Sequence, residues 1–392
     1  AADLLGRYAL AESSLREALR REPVTSPTVA ARRRTALAAA LERQGRYRAA
    51  LGELTRAERA LAGGVDDEGW PAVALRRSSV LYRRGRLRES LALAARVAGR
   101  SGTTRADRAR ALLRVEMCAG ELALPTRDEA GREALAAFRG LRADRDLASL
   151  LGNLGVSAFE ADDWRLAERR YRESRERYRR AGDVVGAAIV ENNLAELLCE
   201  QGRVQEAYAV FGEARRVFRA AGLAIGVAAT TSSLGRLAAR AGDHVAAEEL
   251  LAEAEAAFRG LGSPVYVADT LVRRAELALL AGDPATAERV AAARAAVLDA
   301  DAGVWPRLVC DRYAALWQWR CGDAAGAVAA LLAARDEAVG HGVVAEELLC
   351  LDALLVVAGA DDVPAPERAA WRRRRDALAV HLGVVAPPPL PH

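Results

Sequence analysis

The sequence has no lysine; all 57 of its basic residues are arginine. With abundant alanine, that bias marks a GC-rich coding sequence and says little about chemistry. Aromatic residues are only 5% of 392 positions. Ala and Leu dominate, which favours close-packed helices over a sandwich or barrel, whose strands draw on Val, Ile, Thr and Tyr. An excess of one charge is also missing. The 53 acids leave a net charge of +4, too small over this length for a nucleic-acid binder. Five cysteines (Cys118, Cys199, Cys310, Cys321, Cys350) are scattered with no CxxC pair, and four histidines lie far apart. Neither a disulfide framework nor a metal site is expected. No apolar run is long enough to span a membrane, and no signal peptide is recognisable, so the expectation is cytoplasmic. GxxxxGK[ST], GxSxG and HExxH are absent, so the reading is no enzyme and no cofactor.

What is present is a period. Apolar residues make up 52% and charged residues 28%, the balance of a foldable chain. A turn of the form Gly-Asp/Arg-x-x-x-Ala recurs through the sequence. Its small final residue stands at 11, 50, 90, 130, 167, 207, 247, 287 and 327, mostly forty apart. Seven residues further on lies another small residue in most copies, among them Ser174, Ala214 and Ala254, with Val97 and Arg294 as exceptions. Twelve residues before lies a third: Ala38, Ser78, Cys118, Gly155, Ala195, Gly235, Ala275 and Ala315. Two helical apolar periods flank each Gly turn, so each unit reads as a hairpin of two helices of roughly 15 to 18 residues. Antiparallel helices approach closely only where neither presents bulk, and these three slots mark the approach. Arg294 breaks the slot, which requires its stem to lean outward. Arg105 to Leu141 is irregular, with Pro125 and a short second half.

This spacing of small residues, with an aromatic or Leu four after the middle one (Tyr171, Phe211, Leu251), resembles the tetratricopeptide repeat family. The resemblance covers residues 1 to about 340 and implies an all-α, right-handed superhelical solenoid of nine to ten hairpins. The units are longer than the family's usual repeat. They look like the long variety in sensor segments of large bacterial signal-transduction regulators. The domain reading is a solenoid over 1–341 with a truncated first repeat, a capping hairpin over 342–382, and a Pro-rich disordered tail over 383–392. An attached upstream domain is an open expectation.

Asparagine is scarce as well: Asn153, Asn192 and Asn193 are the whole complement. It is a poor helix-interior residue. Asn153 and Asn193 lie one period apart, and Ser233 follows in the same series. In the resembled family the first helices line a concave groove, and an amide in this slot bonds the backbone of an extended peptide. A structural bond between adjacent first helices is the competing reading. The same helical phase adds Phe159, Glu160, Glu196, Glu200, Arg236, Arg240, Asp269, Glu276, Arg312, Trp319 and Arg320 as lining. This strip has mixed sign, which suits a peptide or protein carrying both charges. Trp317 and Trp319 cannot share one face, so one is expected in the core and the other as an anchor. Arg372 to Arg375 point in all directions and read as a solvated face. The leading function is a noncatalytic scaffold that binds a protein or peptide in the groove, as the partner-docking region of a larger regulator. The alternatives are a receptor for a small ligand or signalling peptide, and a segment controlling an attached effector enzyme.

Overall fold

The computed structural model describes residues 8–21, 26–61, 68–122, 124–141, 143–358 and 363–391. The start of the truncated first repeat, residues 1–7, and the last residue of the Pro-rich tail lie outside these residues. The described residues form nineteen helices and no strands. In order they are α1 Tyr8–Arg21, α2 Pro27–Arg43, α3 Tyr47–Ala60, α4 Trp70–Arg83, α5 Leu87–Gly99, α6 Arg105–Glu121, α7 Arg127–Phe138, α8 Asp144–Glu160 and α9 Trp164–Arg180. There follow α10 Val184–Glu200, α11 Val204–Ala220, α12 Ala224–Arg240, α13 His244–Gly260, α14 Pro264–Ala281, α15 Thr286–Asp299, α16 Val304–Arg320, α17 Ala324–His341, α18 Val344–Val357 and α19 Ala365–Leu382. This is an all-α repeat solenoid, and α10, α12, α14, α16 and α18 begin forty residues apart. None of these helices is long and apolar enough to cross a membrane.

The turns explain the period. Gly202, Gly242, Gly282 and Gly322 have φ between 68° and 92°, the left-handed conformation that ends a helix and favours glycine. In the 243 and 323 turns the following Asp then caps the next helix, accepting from Ala246 N–H at 3.1 Å and from Gly326 N–H at 2.8 Å. A second set of left-handed glycines (Gly182, Gly222, Gly262, Gly342) sits midway between the first, at the joints between hairpins. The backbone therefore repeats its punctuation every half-period.

The chain divides into two compact units. The first comprises Ala1–Leu154 and Glu176–Asp183, and the second Gly155–Arg175 and Val184–His392. The first unit has one apolar core, in which Leu37, Leu41, Leu54, Leu150 and Phe138 are wholly buried. Two small slots meet there as expected. Ser78 Oγ donates to Ser90 O at 2.9 Å and Ser90 Oγ to Ser78 O at 2.8 Å, so the pair needs no water. Helix α7 is short. It buries Ala130, Ala134 and Phe138, while Ala137, the expected small slot, is only half-buried.

In the second unit the slots hold Ala195, Ala207 and Ala214 at zero exposure, with Phe211 and Leu251 filling the space beside them. Burial of a side chain such as Phe211 contributes about 1.5–3 kcal/mol. One expectation needs correction. In α15 the buried row is Thr286, Val290, Ala293 and Val297, one residue earlier than the sequence register. Pro284 lies in the preceding turn and the helix starts two residues later than its equivalents, which rotates it. Ala293 takes the small slot, and Arg294 points out to Asp311 at 2.8 Å. Arg294 is therefore not an exception to the packing rule.

The second unit also closes on itself. Phe159 of α8 stacks on Trp164 and packs against Trp305 of α16, with centroids 5.6 and 5.7 Å apart. Asp162 occupies the glycine position of its turn at φ 56°, and its Oδ2 accepts from Val344 N–H at the start of α18, 2.7 Å away. Arg165 donates to Val380 O of α19 at 2.9 Å. Helix α19 is thus only partly the water-facing cap expected: Trp371, Leu378 and Leu382 are buried, and Val380 and Leu382 offer carbonyls to earlier repeats.

Two alanine substitutions separate packing from propensity. A Cβ at Gly155 would come within 2.5 Å of the Tyr171 ring, whereas one at Gly212 meets nothing within 4 Å. Both glycines are mid-helix, where Ala is intrinsically better by about 1 kcal/mol. Gly212→Ala is expected to raise the urea midpoint. Gly155→Ala is expected to lower it, with a loss of about 1–3 kcal/mol of stability through overpacking. Equal shifts for the two would sink the close-approach account.

Candidate functional site

Helices α10, α12, α14, α16 and α18 line one face of the second unit, and contacts between successive repeats run through them. Because they start forty residues apart, equivalent side chains stack in columns across the face. One column holds Asn193, Ser233, Arg273 and Tyr313. The next holds Glu196, Arg236, Glu276 and Leu316. A third holds Glu200, Arg240, Leu280 and Arg320, and a fourth Asn192, Ser232, Val272, Arg312 and Asp352.

The charged members pair with one another. Arg236 bonds Glu200 of α10 and Glu276 of α14, the latter at 2.9 Å. Arg240 reaches Glu276 at 2.7 Å. Arg273 donates to Ser233 Oγ at 3.0 Å and lies 3.3 Å from Glu196 and 2.9 Å from Asp269. Ser233 itself donates to Glu196. Arg312 donates to Glu346 of α18 at 2.5 Å. The expectation of a strip offering both charges to a partner is corrected here. Acid and base of neighbouring helices neutralise each other, because the shared period places opposite signs within reach. Reading one helix at a time hides this, although alternating sign in the Glu196, Arg236, Glu276 column carries the signal.

Burial and partner pull against each other on these carboxylates. Burial pushes Glu276 up, but the Arg240 and Arg236 guanidiniums override it and hold the carboxyl well below its usual range. Glu196 is likewise raised by burial and lowered further by Arg273 and Ser233. Burial pushes the Cys199 thiol up to about 11 and Cys310 up to about 12. Such thiols are inert at neutral pH. No group of three or more His, Cys, Asp or Glu among the described residues is placed to hold a metal ion.

The remaining site candidates are distributed. Asn192 and Asn193 are half-buried on α10, and Asn192 Oδ1 is a buried acceptor with no hydrogen-bond partner among the described residues. Asn153 is half-buried at the edge of the other unit. Trp317 and Trp319 are both half-buried, so neither is the core residue expected; Tyr313 and Leu316 hold that place.

The sequence reading missed the occupant of this face. The Pro-rich segment, expected to be disordered, lies across it without regular secondary structure. Val385 N–H donates to Gln201 O at 2.8 Å, and Gln201 Nε2 donates to Leu382 O at 3.2 Å. Leu280, Tyr313, Leu316 and Leu349 enclose Pro388, Leu390 and Pro391, leaving a void of about 10 Å³. That barely admits one water. Pro391 is buried, and Pro388 and Leu390 are half-buried. Gly202 permits the approach: a Cβ there would meet Ala386 O at 2.1 Å.

A family model for the tetratricopeptide repeat matches residues 186–260, within this second unit. A Rap protein, solved in complex with competence and sporulation factor, is similar over 81% of this chain and 99% of its own, at TM-score 0.61 and 14% identity. Residues 186–260 match the tetratricopeptide repeat, and the fold as a whole is of that repeat type. Yeast Tom70 aligns over 95% of this chain and 92% of its own at 14% identity, with a TM-score of only 0.34. No curated protein matches the sequence. The matched repeats place their first helices, α10 and α12, on the face just described.

Two outcomes check this electrostatic picture. A carboxylate whose folded pKa lies below its unfolded value, near ~4.3, adds stability that is complete above that value and lost as pH falls through the folded one. The urea midpoint of the parent should therefore fall on acidification below about pH 4, and that of Glu276→Gln should fall less steeply. At pH 7 the variant should be less stable by about 3–5 kcal/mol, because two buried guanidiniums lose a partner. Separately, Cys321 is exposed and the other four cysteines are buried. Ellman's reagent should titrate one thiol in the native protein and all five in denaturant; rapid reaction of a second native thiol would contradict this packing.

Proposed function

We propose that the protein is a docking scaffold that binds an extended protein or peptide segment along the first helices of its second unit. The observation that carries this is one of register. The residues enclosing the Pro-rich segment belong to the same columns as the residues that sequence singled out for binding. Tyr313 stands in the column of Asn193, Leu316 and Glu276 in that of Glu196, Leu280 in that of Arg240, and Arg312 in that of Asn192. Half of this face already accommodates extended backbone. The other half, at α10 and α12, carries the half-buried Asn192 and Asn193, and the unpartnered Asn192 Oδ1 lies just beneath the surface, to be turned out by a partner.

The partner's backbone N–H would satisfy the Asn192 carbonyl, and the amides of both asparagines would set its direction. Glu196, Arg236, Arg240 and Arg312, whose charges are already paired, and Ser233, already hydrogen-bonded, would act as the rigid floor. Trp319, at the far end of α16, would extend the surface. The Rap structure, determined in complex with a factor, supports a binding role for this architecture. Within this reading the chain is the partner-docking region of a larger bacterial regulator, working in the cytoplasm without catalysis of its own.

A pull-down from the source cell's lysate, read by mass spectrometry, tests it. The parent chain is compared with Asn192→Ala/Asn193→Ala, with circular dichroism to confirm equal folding. A partner held by the parent and lost by the folded variant is the expected result. Equal retention by both would move recognition off this face and leave the asparagines structural.

A further inference from the structure

We propose that the channel formed by α14, α16 and α18 is a binding site for proline-rich extended peptides, and that the chain's own segment 387–391 is its resident, exchangeable occupant. This deepens the docking reading above and rests on it.

The chemistry of the occupant is specific. Residues 387–391 read Pro-Pro-Pro-Leu-Pro, and Leu390 alone among them carries a backbone N–H. Proline fixes φ near −65°, so the segment is extended before it binds and loses little entropy on docking. It can donate almost no hydrogen bonds, so it is recognised by shape and through its carbonyl acceptors. The channel meets that need with one aromatic face, Tyr313, and the aliphatic side chains of Leu280, Leu316 and Leu349. Grooves that offer an aromatic face take polyproline II ligands, whose extended helix is formed before binding. Here Pro391 is buried, Pro388 and Leu390 are half-buried, and Pro387 and Pro389 are exposed.

The occupant is held lightly. Its upstream anchor is the bond from Val385 N–H to Gln201 O. Only Gly383 to Ala386 separate it from the end of α19, so it docks at an effective concentration on the order of millimolar. A contact too weak to form between separate molecules is stable under that tether. A partner presenting the same chemistry has to displace it, which makes the segment an internal competitor.

The test uses the full chain and a fluorescein-labelled peptide of sequence PPPLPH, followed by fluorescence polarisation. Three proteins are compared: the parent, Pro388→Asp/Leu390→Asp, and Gly202→Ala. The first variant unseats the segment by charge. The second unseats it sterically at Ala386, outside the peptide's own footprint. Both variants should bind the peptide at least tenfold more tightly than the parent, and neither should bind a control with every Pro changed to Ser. Equal binding by all three proteins, no binding by either folded variant, or equal binding of the control overturns the proposal. Circular dichroism confirms folding, and either variant alone suffices. Failure here with Asn-dependent partner capture intact removes the proline site only. Loss of that dependence with peptide exchange intact removes the wider docking reading only.

Discussion

Everything in this molecule follows from helices being allowed to touch. Ala195, Ala207 and Ala214, or Gly155 beneath the Tyr171 ring, remove the side-chain bulk that would hold antiparallel helices apart. Once hairpins close at those points, the larger residues beside them fill the remaining space to native density. Left-handed glycines then end most helices of the second unit at a regular spacing. Equal spacing of their starts stacks the first helices in register, and only that stacking brings residues forty apart into contact.

The slots and turns were legible because they are local and repeat. The sequence gives their positions without any knowledge of which helix lies where. Arg294 shows the limit of that reading. Its neighbour Ala293 could fill the slot as well, and the choice depended on how far the turn at Pro284 delays the helix. The ion pairs of α10, α12 and α14 were half legible. Glu196, Arg236 and Glu276 stood out as residues of one face, but the pairing between them belongs to the stack, not to any one helix. The seat of the Pro-rich segment left no local signal at all. Proline content predicts an extended chain, and whether such a chain finds a surface depends on closure of the unit through Phe159, Trp305 and Asp162.

Asp162 shows how closure is bought at a turn. A non-glycine residue in the left-handed region is strained, though less so for Asp than for most. Burial also pushes its carboxyl up, against the pull of the Val344 and Ala345 N–H groups. Those groups are at the start of α18, where a helix favours a carboxylate. A glycine here would relax the backbone and lose the bond that joins the unit's first hairpin to its last.

The paired charges have a consequence for how the second unit comes apart. Repeat arrays commonly fray from their ends, one hairpin at a time, since each hairpin leans only on its neighbours. Here Arg236 is shared between Glu200 and Glu276, so opening the α10 or the α14 hairpin strands a buried ion in the helix that stays behind. Partial opening at this point is therefore dearer than the loss of contact area alone. Amide protons of α10, α12 and α14 would then share one opening free energy, making three repeats of a modular array a single cooperative block.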